Sequence, residues 1–160
     1  MLVLIPKTVN GKPFTLNLLQ ELIKNPKEKT STDFSYYSQA VQQELGNTQV
    51  TKPYWVLMTK DVIPNSHSKT YEEQKQLVEQ KKAEGYELPS ALEAATSILL
   101  HYFKTDERTY GSDPLTYTRC RETVKTQWPV AIGGFARGGL AVNIHYNSHY
   151  CDGVAGVRKF

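Results

Sequence analysis

Residues 70–96 read TYEEQKQLVEQKKAEGYELPSALEAAT, and this stretch predicts two capped helices in succession. Thr70 and Glu73 have the spacing of a capping box, in which each side chain accepts a hydrogen bond from the backbone N–H of the other residue at the start of a helix. Ser90 and Glu93 repeat that spacing. We therefore expect one helix to begin just after Thr70 and a second helix to begin just after Ser90.

Upstream of this stretch, the sequence predicts a short strand followed by two helices. The apolar run at 2–5 is typical of a strand, and apolar residues recur at helical spacing over 16–23. The run at 31–47 indicates the second helix, with Thr32 or Asp33 as its N-cap. Helices therefore dominate the prediction for this part of the chain.

Strand-like runs appear in the middle of the chain and then cluster at its end. The run at 53–63 is β-branched and aromatic, and three more such runs occupy 128–135, 140–146 and 154–160. Six of the ten glycines fall within or between the last three runs. Strands that cluster in this way favour an antiparallel sheet in an α+β domain over alternating βαβ units.

The composition describes one ordinary globular domain of 160 residues. Hydrophobic residues make up 39% of the chain and charged residues 22%, which is the usual balance of a folded protein. The net charge is only +3, and the lysines are interspersed with glutamates, so we expect no nucleic-acid partner. The sequence does not indicate whether the chain is a monomer or an oligomer.

Neither a membrane span nor a cleaved signal is indicated. No run approaches the ~18 apolar residues that a membrane span needs, and MLVLIPK lacks the basic start and cleavage site of a signal peptide. We therefore expect no membrane span, and a location in the cytoplasm or export by a route independent of a signal peptide. The two cysteines are too few for a disulfide scaffold.

The helical stretch resembles a segment of the formylglycine-generating-enzyme-like branch of the C-type lectin fold. That branch carries a pattern of the kind G-Y-R-L-P-T-x-x-E-W-E-x-A, and the closing run VAGVRKF is similar to its last strand. The residues that match the pattern are Gly85, Tyr86, Leu88, Pro89, Ser90, Glu93 and Ala95. The resemblance implies an α+β, C-type-lectin-like mixed domain over residues 53–160, with two helices packed on an antiparallel sheet and residues 1–50 as a helical N-terminal extension. It also implies that the run at 54–60 pairs antiparallel with the closing strand.

The chemistry of that branch does not transfer with the fold. Its enzymes hold copper with two cysteines close together near the C-terminus, whereas Cys120 and Cys151 are 31 positions apart. The chain also lacks the Glu-Pro-Asn, Gln-Pro-Asp and Trp-Asn-Asp motifs of calcium-dependent sugar binding. We therefore expect no cofactor and no metal from the resemblance. Most of the chain also resembles a multi-copy family of chlamydia-like intracellular bacteria, which implies no activity but fits a host-directed role.

The densest group of polar and aromatic residues is NIHYNSHYCD at 143–152. If this stretch continues as a strand, alternation places His145, His149 and Cys151 on its polar face, with the two histidines ~13 Å apart and too far to share an ion. A turn within the stretch would instead bring them together, with Cys151 or Asp152 completing a zinc site. That metal site is an alternative to the polar surface that we favour.

We expect residues 143–152 to form a ligand-binding surface. In some proteins of the resembled fold, the segment before the last strand is a hypervariable surface diversified by adenine mutagenesis of Asn codons, which never yields Lys, Glu, Gln, Met or Trp. None of these five types occurs over 129–157, and Tyr, Ser, Asn and His are the residues that adaptable binding sites use. The predicted ligand-binding residues are Asn143, His145, Tyr146, Asn147, His149, Tyr150 and Asp152. The predicted function is therefore a non-catalytic binding module, a variable or host-directed recognition protein with a protein or a glycan as its ligand.

A small enzyme is the alternative function. Cys120 lies between Arg119 and Arg121, whose charges would lower a thiol pKa, and His101 is available as a base. A single cysteine near arginines is more often a small buried residue. We therefore favour a protein without catalytic activity.

Overall fold

The computed structural model describes residues 1–24, 32–146 and 148–160, which form an α+β fold as predicted. The strands are β1 (Leu2–Ile5), β2 (Thr8–Val9), β3 (Lys12–Pro13), β4 (Phe34–Tyr36), β5 (Tyr54–Met58), β6 (Tyr117–Val124), β7 (Trp128–Ala136), β8 (Gly139–Ile144), β9 (Asp152–Gly153) and β10 (Val157–Lys159). The helices are α1 (Leu16–Lys24), α2 (Gln39–Leu45), α3 (Tyr71–Glu79) and α4 (Ala91–Thr105).

The smaller of the two main sheets has the order β1-β5-β10. β1 and β10 both run antiparallel to β5, and Val157 lies opposite Met58. The predicted antiparallel pairing of the run at 54–60 with the closing strand is therefore confirmed. This pairing brings the end of the chain back to its middle.

The larger sheet has the order β4-β8-β7-β6-β9. Its central strands β6, β7 and β8 are antiparallel neighbours, whereas β4 and β9 pair in parallel with β8 and β6 at the two edges. β7 and β8 correspond to the runs predicted at 128–135 and 140–146. The edge strand β9 begins at Asp152 and pairs with the start of β6.

Both predicted capping boxes are present, at the starts of α3 and α4. The Thr70 and Ser90 side chains accept from the N–H groups of Glu73 and Glu93, and each glutamate accepts in return from the N–H of its cap at 2.7 Å. These bonds satisfy N–H groups that no carbonyl within the helix can reach. The two predicted helix starts are therefore confirmed.

The second predicted helix begins later than expected. Residues 34–36 form β4, and α2 starts after Ser38, so neither Thr32 nor Asp33 is an N-cap. The reason is tertiary, because β4 pairs in parallel with the edge of β8 and buries the Phe34 ring completely. Pairing and burial outweigh the local helical pattern.

The part of the chain expected to be a helical extension, residues 1–50, contains strands as well as helices among its described residues. β1 joins the smaller sheet through β5, and β4 joins the larger sheet through β8. Side chains from this part and from α4 belong to one hydrophobic core; examples are Ile5, Leu19, Phe34, Ile98 and Leu99. β1 confirms the strand predicted at 2–5, whereas β4 was not predicted because pairing with a distant sheet edge leaves no local periodicity to detect.

Helix α4 contacts strands of both main sheets and so joins them into one core. Its buried face includes small or aliphatic side chains that have almost no accessible surface: Ala94, Ala95, Ile98 and Leu99. Within the described ranges, none of the helices combines the length and the apolar character needed to cross a bilayer.

Candidate functional site

The predicted binding stretch does not continue as a strand. β8 ends at Ile144, and the chain turns before it re-enters the larger sheet at Asp152. The rings of His145 and His149 therefore have centroids only 6.3 Å apart, whereas a continuous strand would separate the two residues by ~13 Å. Of the two arrangements considered from the sequence, the structure has the turn and not the continuous strand. Asn147 lies outside the described residues.

Asp152 is the centre of a hydrogen-bond network behind this turn. Its side chain is completely buried, with Oδ1 2.5 Å from His145 Nδ1 and Oδ2 3.1 Å from Arg119 Nη2. Arg119 is also buried and donates from Nη1 to the Lys69 carbonyl and the Gln74 side-chain oxygen. Asp152 therefore orients His145 from within the fold and does not reach the surface that the sequence assigned to it.

Cys151 adds a thiol to the network. Its Sγ lies 2.9 Å from His149 Nδ1 and 3.8 Å from Asp152 Oδ1. Burial, together with the nearby Asp152 charge, raises the pKa of the Cys151 thiol to about 11, so the thiol is protonated at neutral pH. Without a bound metal, Cys151 is therefore a hydrogen-bonding group rather than a nucleophile.

A cavity of about 350 Å³ opens beside these side chains. His145, His149 and Cys151 line it together with Tyr117, whose ring meets the His145 ring edge-on at 4.7 Å between centroids. One leucine, one isoleucine and the Tyr146 side chain complete its walls. Aromatic and apolar walls with a few convergent polar groups are the usual composition of a ligand site.

Two tyrosines of the turn face outward. Tyr146 is 57% exposed and Tyr150 is 68% exposed, yet each ring rests against another ring. Tyr146 contacts Trp128 at 4.1 Å between centroids, and Tyr150 contacts His149 at 4.6 Å. The exposed Tyr37 borders the same surface and shares a neighbouring cavity with Tyr146. Rings that are already supported on one side lose little conformational freedom on binding.

Asn143 supports the inner side of the site. Its side-chain oxygen accepts from the Ile144 N–H at 2.8 Å, and its amide nitrogen lies 3.3 Å from His145 Nε2. Because Asp152 contacts the other ring nitrogen, His145 has a partner on both sides of its ring. The orientation of this imidazole is therefore defined by the fold.

Two residues on β6 belong to this site and were not predicted as members of it. Tyr117 lines the cavity, and Arg119 holds Asp152. The two residues are separated by one position, so the period of a strand places them on the same side of the sheet. The alternation of a strand predicts that Tyr117 and Arg119 share a face, but no sequence pattern near them indicates that β6 lies beside the turn at 148–151.

The residues of the enzyme alternative do not form an open site. Cys120 is fully buried, and burial raises its thiol pKa well above the ordinary range. His101 Nε2 instead contacts Glu107 Oε2 at 2.9 Å, and Arg119 pairs with Asp152. A cysteine nucleophile needs both a thiolate and access to its substrate, and the buried Cys120 thiol has neither.

Native-state alkylation should leave Cys120 unmodified. Reaction requires the core to open and the thiol to ionise, so we expect modification at neutral pH to be at least about 100-fold slower than in the unfolded chain. Iodoacetamide labelling followed by peptide mass spectrometry measures this rate. Labelling in denaturant is the control and should modify both cysteines, whereas rapid labelling of Cys120 in the folded protein would contradict its place in the core.

A larger cavity, of about 550 Å³, lies at the start of α4. Its charged lining includes Arg121, Glu122 and Lys159. Glu122 accepts from the Ala91 N–H at 2.9 Å, and Lys159 pairs with the buried Glu93 at 3.1 Å. Burial raises the pKa of Glu122. Glu93 and Glu122 accept hydrogen bonds from backbone N–H groups at the start of α4, and Lys159 balances the charge of Glu93. We therefore assign these groups to helix capping and not to catalysis.

Comparisons of the chain with family models, with curated proteins and with solved structures give no match.

Proposed function

We propose that this chain is a non-catalytic binding module, which presents the surface of residues 143–152 to a protein or a glycan. The observation that carries the proposal is the pair of exposed rings at Tyr146 and Tyr150, each supported by a second ring. Such tyrosines are common in adaptable binding sites because they bury a large area at little entropic cost. The adjoining cavity adds the His149 imidazole as a polar partner for a ligand, beside the His145 ring that the fold holds in place.

The network behind the turn supports this role. The buried Arg119–Asp152 pair and the His145–Asp152 hydrogen bond fix the base of the segment that carries the tyrosines. A surface that is already ordered binds with a smaller entropic loss than one that must order first. The proposed ligand-binding residues are therefore Asn143, His145, Tyr146, Asn147, His149 and Tyr150, with Asp152 as the residue that positions them.

For the fold, we propose the C-type-lectin-like arrangement that the sequence resembles. The antiparallel pairing of β5 with β10 and the two capped helices between them in the chain support it. In this arrangement, residues 143–152 precede the closing strand. That is the segment used as a variable binding surface in some proteins of the resembled fold.

The double variant Tyr146→Ala/Tyr150→Ala should lose ligand binding and keep its fold. Each ring is expected to contribute as a binding hot spot, so the affinity for a ligand selected on the wild-type chain should fall at least about 30-fold. Ligands are selected from a glycan array and a displayed peptide library, and affinity is then measured by calorimetry. Circular dichroism and the melting temperature report the fold of the variant.

Phe160→Ala is the matched control, because Phe160 is 65% exposed and lies in the part of the chain that contacts β5. It should bind the selected ligand as the wild type does. Equal losses in the control and the double variant would contradict a binding surface at 143–152. Unfolding of the double variant would also contradict it, because the two tyrosines would then be structural residues.

A further inference from the structure

Three side chains with different donor atoms converge behind the turn. A ring nitrogen of His145, the Sγ of Cys151 and a carboxylate oxygen of Asp152 all lie within 4.8 Å of one another. Nitrogen, sulfur and oxygen donors at such distances are the ligand set of a borderline-soft divalent transition metal. The group differs from the metal site considered in the sequence, because Asp152 replaces His149 among the converging donors.

The three donors are held in position by other residues. Asp152 Oδ2 is occupied by Arg119 at 3.1 Å, which leaves Oδ1 directed toward His145. Asn143 lies beside the far nitrogen of His145 at 3.3 Å. Cys151 is fixed because its carbonyl accepts a backbone hydrogen bond from Tyr117 at 2.9 Å. Partners of this kind orient metal ligands and raise the affinity of a site.

The donors are also accessible. His145 and Cys151 line the cavity of about 350 Å³, so an ion can reach them without opening the core. Arg119 balances the Asp152 carboxylate and therefore opposes a cation beside it, so the negative charge that compensates the ion must come from a Cys151 thiolate. His149 lies at the edge of this group, with Nδ1 2.9 Å from the sulfur, and is placed to donate a hydrogen bond to it.

We propose that His145, Cys151 and Asp152 bind a divalent transition metal, with Zn²⁺ as the best match, and leave one coordination position open toward the cavity. Bond lengths of about 2.0–2.3 Å to a tetrahedral zinc place its ligands about 3.3–3.6 Å apart. The 2.5 Å contact between His145 and Asp152 must therefore widen by about 1 Å as the ion replaces the proton they share.

Binding moves protons as well as side chains. The Cys151 thiol gives up its proton to solvent when its sulfur coordinates the ion. The proton on His145 Nδ1 is replaced by the metal and transfers to Nε2 of the same ring through solvent, so the Asn143 NH2 group, which faces Nε2, must move away from the new N–H. One proton is therefore released for each ion bound, and the fourth position is filled by water or by a donor atom from a molecule in the cavity.

Titration of the full chain with Co²⁺ tests the site, because a cobalt–thiolate bond produces a charge-transfer absorption in the near ultraviolet. We expect one equivalent of Co²⁺ to saturate the band and Zn²⁺ to abolish it by displacement. Cys151→Ser should remove the band, whereas Cys120→Ser should leave it unchanged because that thiol is buried in the core. His145→Ala should weaken binding by at least about 100-fold, more than the loss of a supporting partner typically does.

Two further variants separate this site from its alternatives. His149→Ala should keep the band and the stoichiometry, because His149 is not one of the three proposed ligands. Loss of both would mean that His149 is a ligand, and the open fourth position would then be wrong. Tyr146→Ala/Tyr150→Ala should bind Co²⁺ normally, because the metal site does not rest on the proposed binding function. No charge-transfer band, or a band that survives Cys151→Ser in a folded variant, would overturn the proposal. Retention of the fold by Cys151→Ser is checked by circular dichroism, and His145→Ala provides the second decisive variant.

Discussion

Asp152→Asn is expected to lower the free energy of unfolding by about 3–5 kcal/mol, because it removes the carboxylate from a buried ion pair with the Arg119 guanidinium. The side chains of Arg119 and Asp152 are 1% and 0% exposed, and their ion pair spans 3.1 Å. The other hydrogen-bond acceptors of Arg119 Nη1, the Lys69 carbonyl and the Gln74 amide, are neutral. These two acceptors satisfy hydrogen-bonding capacity but carry no negative charge. Urea denaturation of the variant and the wild type measures the difference.

Glu21→Gln provides the comparison, since it removes one partner of the exposed Lys12–Glu21 pair, whose side chains are 62% and 65% exposed. Solvent screens this pair, so the variant should lose less than about 1 kcal/mol. The double variant Arg119→Met/Asp152→Asn removes both charges of the ion pair, so its loss should be smaller than the sum of the losses measured for Arg119→Met and Asp152→Asn alone. A neutral effect of Asp152→Asn would contradict the buried ion pair.

The sequence predicted those elements whose structure is decided by neighbouring residues. The capping boxes at Thr70 and Ser90 depend only on a side chain three positions away, and both are present. The run at 54–60 has β-branched and aromatic residues in a continuous stretch, and it forms β5. These features involve short sequence separations, so a single sequence contains all of the information they require.

The elements that the sequence did not predict depend on distant partners. Phe34 begins a strand because β8, more than a hundred residues later in the chain, offers an edge that buries its ring. No local pattern distinguishes this segment from the start of a helix. Tertiary pairing therefore decided the structure at the point where the helical prediction was wrong.

The candidate site combines both kinds of information. The residue types at 143–152 indicated a recognition or metal site before the fold was known, because Tyr, His, Cys and Asp occur together there. The arrangement depends on Arg119, which is 33 positions away from Asp152 and lies on β6. That contact buries Asp152, and the turn that precedes it brings the two imidazoles together. The sequence therefore indicated which stretch forms the candidate site. It did not indicate which residues of that stretch are buried and which are exposed.

Gly139→Ala is expected to destabilise the protein by about 2–6 kcal/mol through two effects on the same residue. Gly139 has a φ of +115°, which an alanine adopts only with strain of about 1–3 kcal/mol. An added Cβ would also lie 2.2 Å from the backbone carbonyl oxygen of Asp33, which accepts the Leu140 N–H at 2.8 Å. Relief of that overlap requires β4 to move away from β8, with a further loss of about 1–3 kcal/mol.

The neighbouring substitution Gly138→Ala is the matched control, because a Cβ at Gly138 meets no atom within 4 Å. The same chemical change one residue earlier should therefore alter the unfolding free energy by less than about 0.5 kcal/mol. The two variants differ in the positive φ of Gly139 and in whether the new methyl group presses on the Asp33 carbonyl beside β4. Thermal and urea unfolding of both proteins measure the contrast. Equal stabilities would mean that β4 does not rest against the start of β8, and the parallel edge pair that buries Phe34 would then be wrong.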